Sequence, residues 1–261
     1  MMGLQVRPVL MVLGLSALST PAMAQDSNEI SGRWAKLTHL ESLSKVPILG
    51  EISIETEVIS LIEFRPNGSN GVEYREKTCS LRSNTLAGLL HTSYPRGLLR
   101  VITKPWTPAE VRSVDGDLVL DLPKAWSAYG YRPEQPGQAS PHAAGDPRVI
   151  DQDRDGHPGV TVNTGGIVDG QLYAALLEWN ESRGRVVSPD RIVGNVDWGT
   201  DLAVLGASSS MLRSQAPTRP SPNPDANRFV MRRVPDNATC GALMSRAKAL
   251  FGEQLALSSQ P

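Results

Sequence analysis

The sequence predicts a mainly β protein: an antiparallel β barrel or sandwich built from two related halves, with a C-terminal α-helix packed outside. Three observations lead to this prediction. Short runs in which apolar and polar residues alternate recur along the chain, as half-buried strands require. The 261 residues include 23 glycines and 20 prolines, which supply many turns. One stretch near the C-terminus has the apolar stripe of an amphipathic helix.

The first element in chain order is a segment that we expect to be removed. Arg7 precedes an apolar run over residues 9–18, and Ala22 and Ala24 follow a proline. This three-part pattern is typical of a secretory signal peptide over residues 1–24, cleaved after Ala24. The apolar run is too short to cross a bilayer as a helix. We therefore predict a secreted or periplasmic protein whose residues 25–261 form a single β-rich domain.

A duplication is the next feature of the sequence. Residues 48–62 align without a gap with residues 192–206, and each stretch is followed by a basic strand candidate that leads to a Thr-Cys pair. This predicts a half A over residues 30–104 and a half B over residues 163–255, each running strand, long strand, strand, Cys and helix. The alternative is that β-rich sequences share such patterns by chance.

Further strands and the helix are predicted from local patterns. Residues 57–79 form a hairpin candidate around an Asn- and Gly-rich turn. Later strands are predicted at residues 118–122, 159–163, 172–179 and 229–233, with the helix at 238–255. A connecting segment over residues 105–150 separates the halves.

The two cysteines, Cys79 and Cys240, both lie in the mature chain. Thiols in an oxidising compartment usually pair, so a disulfide between them is predicted. Two buried free thiols are the alternative.

Three aspartates form the most informative motif. Asp151, Asp153 and Asp155 occupy positions 1, 3 and 5 of a loop over residues 151–162, with Gly156 at position 6 and the backbone carbonyl of His157 at position 7. Alternate residues of a tightly wound loop can converge their oxygens on one hard cation. The motif resembles the calcium loops of EF-hands, dockerins and thrombospondin type 3 repeats, and the resemblance implies a structural Ca²⁺. A solvated aspartate turn is the alternative.

The loop departs from the EF-hand pattern at position 12. Val162 stands where an EF-hand has a bidentate glutamate. The candidates for the missing ligand are Asp146, Asp169, Asp201 and water, and the sequence does not distinguish among them.

Gly32 and Trp34 open the first predicted strand, and a late amphipathic helix follows the strands. A Gly-x-Trp opening and a helix outside a barrel resemble the lipocalin (calycin) family. The resemblance implies a closed antiparallel barrel.

Aromatic residues are concentrated in the segment before the acidic loop. Trp106, Trp126, Tyr129 and Tyr131 would form a ligand platform if they are exposed and stacked, or core if they are buried.

Charge and missing motifs limit the functional classes. The 26 basic and 27 acidic residues give a net charge of −1. The protein therefore lacks the net positive charge that would attract nucleic acid. No membrane span is expected in the mature chain. The sequence contains no histidine or cysteine pattern with the spacing of zinc ligands. It also lacks the G-x-S-x-G motif of a nucleophile elbow and the G-x-x-x-x-G-K-[ST] motif of a phosphate-binding loop. We therefore predict an exported non-enzymatic protein that binds a small molecule, a glycan or a protein. An envelope or structural interaction protein and an extracellular hydrolase are the alternatives.

Overall fold

The structure is a computed structural model that describes residues 29–46, 50–67, 71–85, 89–166, 168–213 and 218–254. The predicted signal peptide lies outside these residues. Within them, eleven strands form one antiparallel sheet, and 62% of these described residues are strand. The strands are β1 (Gly32–Val46), β2 (Gly50–Asn67), β3 (Gly71–Thr85), β4 (Leu90–Ser93), β5 (Thr107–Val114), β6 (Asp117–Tyr129), β7 (Val160–Gly166), β8 (Gly170–Ser188), β9 (Arg191–Ala207), β10 (Thr218–Pro220) and β11 (Arg228–Val234). The helices are α1 (Arg96–Val101) and α2 (Cys240–Phe251).

The sheet closes into a ring, so that of the two predicted antiparallel architectures, barrel or sandwich, the structure is the barrel. The neighbours around the ring are β1, β2, β3, β5, β6, β8, β9 and β11, and β11 pairs with β1 again. A second bridge between β3 and β8 is made by β4 and β7. The wall between β3 and β8 is therefore built from two separate strand pairs, β5 with β6 and β4 with β7.

Strand alternation separates the barrel interior from its outer face. On β1, Trp34 is fully buried in the interior cluster, and its indole Nε1 donates to the carbonyl of Ile30 at 2.8 Å. Leu37, three residues on, belongs instead to the cluster formed with α2. Because successive side chains of a strand point to opposite faces, β1 supplies both layers. The interior cluster consists of Ile30, Trp34, Ile62, Phe64, Val72, Tyr74, Ala109, Leu120, Leu122, Ile192, Val196, Phe229 and Met231.

The helix α2 packs outside the barrel, as predicted. Its first turn is capped by Thr239, whose hydroxyl accepts from the backbone N–H of Ala242 at 3.2 Å. Leu243, Ala247 and Phe251 follow one another at helical spacing and are buried. They contact a patch of outward-facing strand residues comprising Ala35, Leu37, Ile59 and Val230.

The predicted disulfide is confirmed, but one part of the predicted repeat is wrong. Cys79 is bonded to Cys240, with the two Cα atoms 5.2 Å apart. Cys79 lies inside β3, so no helix follows it in the way that α2 follows Cys240. The cause is continued strand pairing, since β3 stays paired with β2 as far as Thr85. The common origin of the two halves stays a prediction.

A β-bulge explains how Cys79 reaches α2. Ser60 pairs with Thr78 and Ile59 pairs with Ser80, so Cys79 is the extra residue of the bulge. A bulge re-aims the side chain of its extra residue. The thiol is thereby presented on the outer face, where α2 begins.

Charged side chains form a polar layer inside the barrel, next to the apolar cluster. Lys36 Nζ lies 3.4 Å from a carboxylate oxygen of Glu76, and these side chains are only 6% and 12% exposed. Ser60 donates to Glu76 at 2.6 Å. Burial acts to raise the pKa of Glu76, but the charges of Lys36 and Lys104 outweigh it and lower the pKa. Glu76 is therefore held as a carboxylate inside the barrel.

The polar layer continues towards β8. Lys104 Nζ donates to the side-chain oxygen of Asn180 at 2.8 Å, and the Tyr129 hydroxyl donates to Glu178 at 3.2 Å. Beyond Tyr129, the buried Leu98 of α1 packs against Tyr129 and Val160. The interior is thus occupied by an apolar cluster, a polar layer and the side chains around α1.

Glu178→Gln is expected to gain stability relative to the wild type as the pH rises. Burial raises the pKa of Glu178, and the negative charge of Glu76 adds to this against the opposing effects of Lys104 and Tyr129. A raised folded-state pKa gives a stabilisation that is full below the ordinary carboxyl pKa and is lost as the pH rises through the folded-state pKa. Glutamine carries no such charge and still accepts from Tyr129.

Urea unfolding of both proteins at about pH 4 and about pH 8 measures this difference. Glu181→Gln, at an exposed position of β8, is the matched control and should show no such trend. An equal difference between wild type and Glu178→Gln at both pH values contradicts the expected role of the buried charge.

Candidate functional site

The acidic loop is fastened to the barrel at its base. The backbone N–H of Ile150 donates to the carbonyl of Gly130 at 3.0 Å. Across the loop, the N–H of Gln152 donates to the carbonyl of Gly159, and the N–H of Gly159 donates to the carbonyl of Ile150, at 3.1 Å each. A Cβ on Gly159 would lie 2.2 Å from the carbonyl oxygen of Ala174, and its φ is +91°. Only glycine allows the two backbones to come this close. The loop therefore lies directly against β8.

The three predicted aspartates come together. Asp151, Asp153 and Asp155 each offer a carboxylate oxygen, and these atoms all lie within 4.8 Å of one another. The backbone turns sharply between them, with φ of +63° at Arg154 and +89° at Gly156. The left-handed conformation at these two positions winds the loop tightly enough to converge alternate side chains.

Backbone N–H groups hold Asp151 and Asp155 in place. Asp151 accepts from the N–H groups of Asp155 and Gly156 at 3.1 and 2.9 Å. Desolvation acts to raise the pKa of Asp151, but these hydrogen bonds outweigh it and lower the pKa. Asp155 accepts from the N–H of His157 at 3.0 Å and from the hydroxyl of Thr161. Asp151 is therefore held as a carboxylate, and the two hydrogen bonds fix the position of the Asp155 side chain.

Asp153 has one carboxylate oxygen that is buried beside the other two carboxylates. One of its oxygens accepts from the N–H of Thr161 at 2.9 Å. The other is shut off from water and has no hydrogen-bond partner within the described residues. Burial raises the pKa of Asp153, and the charges of Asp155 and Asp151 raise it further. A charged oxygen buried beside two other carboxylates is costly unless a cation or a proton neutralises it.

His157 and the candidate twelfth-position ligands are occupied elsewhere. The ring of His157 stacks on that of Tyr173 with centroids 3.9 Å apart, which leaves its backbone carbonyl as the predicted ligand atom. Asp146 pairs with Arg148 at 2.8 Å, which lowers the pKa of Asp146 to about 2. The other two candidates accept backbone N–H groups, namely Asp169 from Gly166 and Asp201 from Ser140. In the part of the chain that the structure describes, these three carboxylates do not join the triad.

The four aromatic residues of the predicted platform do not share one surface. Trp106 lies under the guanidinium groups of Arg65 and Arg75, 3.7 and 4.8 Å from its ring. Tyr129 and Tyr131 are 4% and 2% exposed and belong to two different clusters. Trp126 alone of the four is strongly exposed, at 42%. The tyrosines therefore act as core.

Compared with known protein families, with curated proteins and with solved structures, the chain shows no significant match. The described helices are all too short to cross a membrane. Together, the fold and the site define an antiparallel β barrel with an outer helix and one disulfide. It carries a triad of aspartates that are close enough to hold a metal ion.

Proposed function

We propose that the chain is an exported, non-enzymatic binding protein whose acidic loop holds a structural Ca²⁺. The disulfide between Cys79 and Cys240 is compatible with an oxidising compartment outside the cytoplasm. The signal-peptide pattern of residues 1–24 supports the same location. Because side chains occupy the barrel interior, we place ligand binding on the outer surface of the barrel.

The unpartnered oxygen of Asp153 is the observation that carries the calcium part of the proposal. Asp151, Asp153 and Asp155 would supply the carboxylate ligands, and the backbone carbonyl of His157 would supply a fourth oxygen. Ca²⁺ prefers such oxygen ligands and accepts water at the remaining positions. Bound there, it neutralises three neighbouring negative charges and fixes the loop that connects the end of β6 to β7.

Ca²⁺ is expected to raise the melting temperature of the mature protein by several degrees over the value in EDTA. At a free concentration about 100 times the dissociation constant, binding to the folded state adds about 3 kcal/mol. Asp153→Asn should abolish most of this calcium effect. Asp197→Asn, at an exposed aspartate of β9, is the matched control and should retain it.

An unchanged melting temperature between EDTA and about 10 mM Ca²⁺ would remove the calcium part of the proposal. Native mass spectrometry of the same sample tests the other parts. It should show a chain that begins at Gln25, contains one disulfide and carries one calcium ion, together with any molecule that was bound in the cell.

A further inference from the structure

A groove of about 660 Å³ lies on the barrel wall where β1, β11, β9, β8 and β6 run side by side. Gln254, at the end of the C-terminal helical segment, forms part of its edge. A site of this volume falls within the range of small-molecule pockets. It lies apart from the acidic loop, whose residues do not line it.

Strand register explains the arrangement of its lining. Arg228 of β11 pairs with Asn195 of β9, and Asn195 pairs with Arg183 of β8. The two arginines therefore stand two strand spacings apart, roughly 10 Å. Two residues along the same strands, Val230 pairs with Val193, and Val193 pairs with Arg185. Since alternate residues share a face, two valines form an apolar floor between three arginines.

The positive charge of this rim is only partly neutralised. Arg183 shares the carboxylate of Asp121 with Arg112, at 2.6 and 2.7 Å, so two cations face one anion. Arg185 lies 3.3 Å from Asp117, with both side chains more than half exposed. Such an exposed pair is weak.

Arg228 adds a charge at the opposite side of the groove. Its guanidinium donates to the backbone carbonyl of Asp225 at 2.9 Å, a neutral acceptor. The carboxylate of Asp225 is the one acidic side chain among the lining residues that are described. Burial lowers the pKa of His39, at the same edge, and the positive charge of Arg228 lowers it further. The rim therefore has an excess of positive charge.

We propose that this groove binds an amphiphilic anion, a carboxylate or phosphate group carried on an apolar chain. The guanidinium groups of Arg228 and Arg183 bind the anionic group through charge-assisted hydrogen bonds. The apolar chain covers Val193, next to Val230, which α2 already buries. This inference rests on the binding role proposed above and names its ligand class.

Octanoate is the probe, titrated into the full mature protein and followed by backbone amide chemical shifts. We expect saturable binding that shifts the signals of Val193, Asn195 and Arg228. Acetate, which lacks the chain, and octanol, which lacks the charge, should each bind at least about tenfold more weakly. Added salt should weaken octanoate binding because the rim charges are exposed.

Arg228→Gln should weaken octanoate binding about tenfold, since it removes one charge-assisted contact. Arg219→Gln is the matched control, because Arg219 is an exposed arginine of β10 outside the groove, and binding should be unchanged. Shifts confined to other surfaces, equal binding of octanol, or no effect of Arg228→Gln would overturn the proposal. Binding that appears only in a chain ending at Gln254 would also overturn it, since the groove would then belong to the chain's own last seven residues.

The failure of this inference is distinguishable from the failure of the proposed function. If octanoate does not bind but native mass spectrometry shows another carried molecule, the ligand class is wrong and the binding role stands. If neither octanoate nor a carried molecule is found, both the ligand class and the binding role are overturned.

Discussion

Replacing both cysteines, Cys79→Ala together with Cys240→Ala, is expected to lower the free energy of unfolding by about 5 kcal/mol. The two residues are 161 positions apart in the chain. Closing so long a loop removes much of the conformational entropy of the unfolded state, and this entropy returns when the bond is absent. The bond also anchors the first turn of α2, whose buried face covers one side of the barrel. Urea unfolding at neutral pH measures the loss.

Reduction of the wild-type protein provides the control. The chain contains two cysteines and they are bonded to each other, so a reductant should give the same urea midpoint as the double variant. A loss below about 1 kcal/mol in both samples would contradict the expected stabilisation, since the chain-entropy estimate is several times larger.

Glu76→Gln is expected to cost about 3 to 5 kcal/mol, because it leaves Lys36 in the barrel interior without its anion. Within the described residues, Glu76 is the carboxylate that forms an ion pair with Lys36, and the Lys36 ammonium group lies 3.4 Å from it. Burial already lowers the pKa of Lys36, and Glu76 opposes that shift. Removing the carboxylate therefore makes the charged lysine much less favourable in the folded state.

Glu63→Gln is the matched control for this substitution. Glu63 pairs with Arg33 and Arg75 at 3.2 and 2.9 Å on the outer face, where a lost ion pair costs about 1 kcal/mol or less. The pKa of Glu76 is lowered in the fold, so its stabilisation is present above the ordinary carboxyl pKa and is lost as the pH falls. The loss in Glu76→Gln should therefore shrink in acid. Equal losses for the two variants would contradict the buried role of Glu76.

Features whose residues are close in the chain were the ones that the sequence could predict. The hairpin of β2 and β3 follows from alternation on both sides of one turn. The aspartate triad is local as well, because Asp151, Asp153 and Asp155 are two residues apart and converge through the winding of one loop. The helix α2 was predicted from its apolar stripe, although it begins at Cys240 and ends at Phe251, inside the predicted bounds.

Features created by closure of the barrel were not predictable in the same way. Lys104 and Asn180 meet across 76 residues of sequence, and in sequence both resemble ordinary surface residues. The groove depends on the pairing of Arg228, Asn195 and Arg183 across three strands, so its charges are scattered along the chain. The outward direction of the Cys79 side chain follows from a bulge, a local irregularity in pairing that alternation does not reveal.

The pairing of β1 with β11 has a consequence for how the molecule is made. Arg33, near the start of the barrel, is matched with Val234, near its end. A ribosome must therefore have synthesised the chain as far as β11 before the ring can close, and until then β1 and β9 each present an unpaired edge. Proteins dominated by such distant contacts acquire their native structure slowly. We therefore expect closure of the ring to be the slow step of folding, because it brings together the strands that lie farthest apart in the chain.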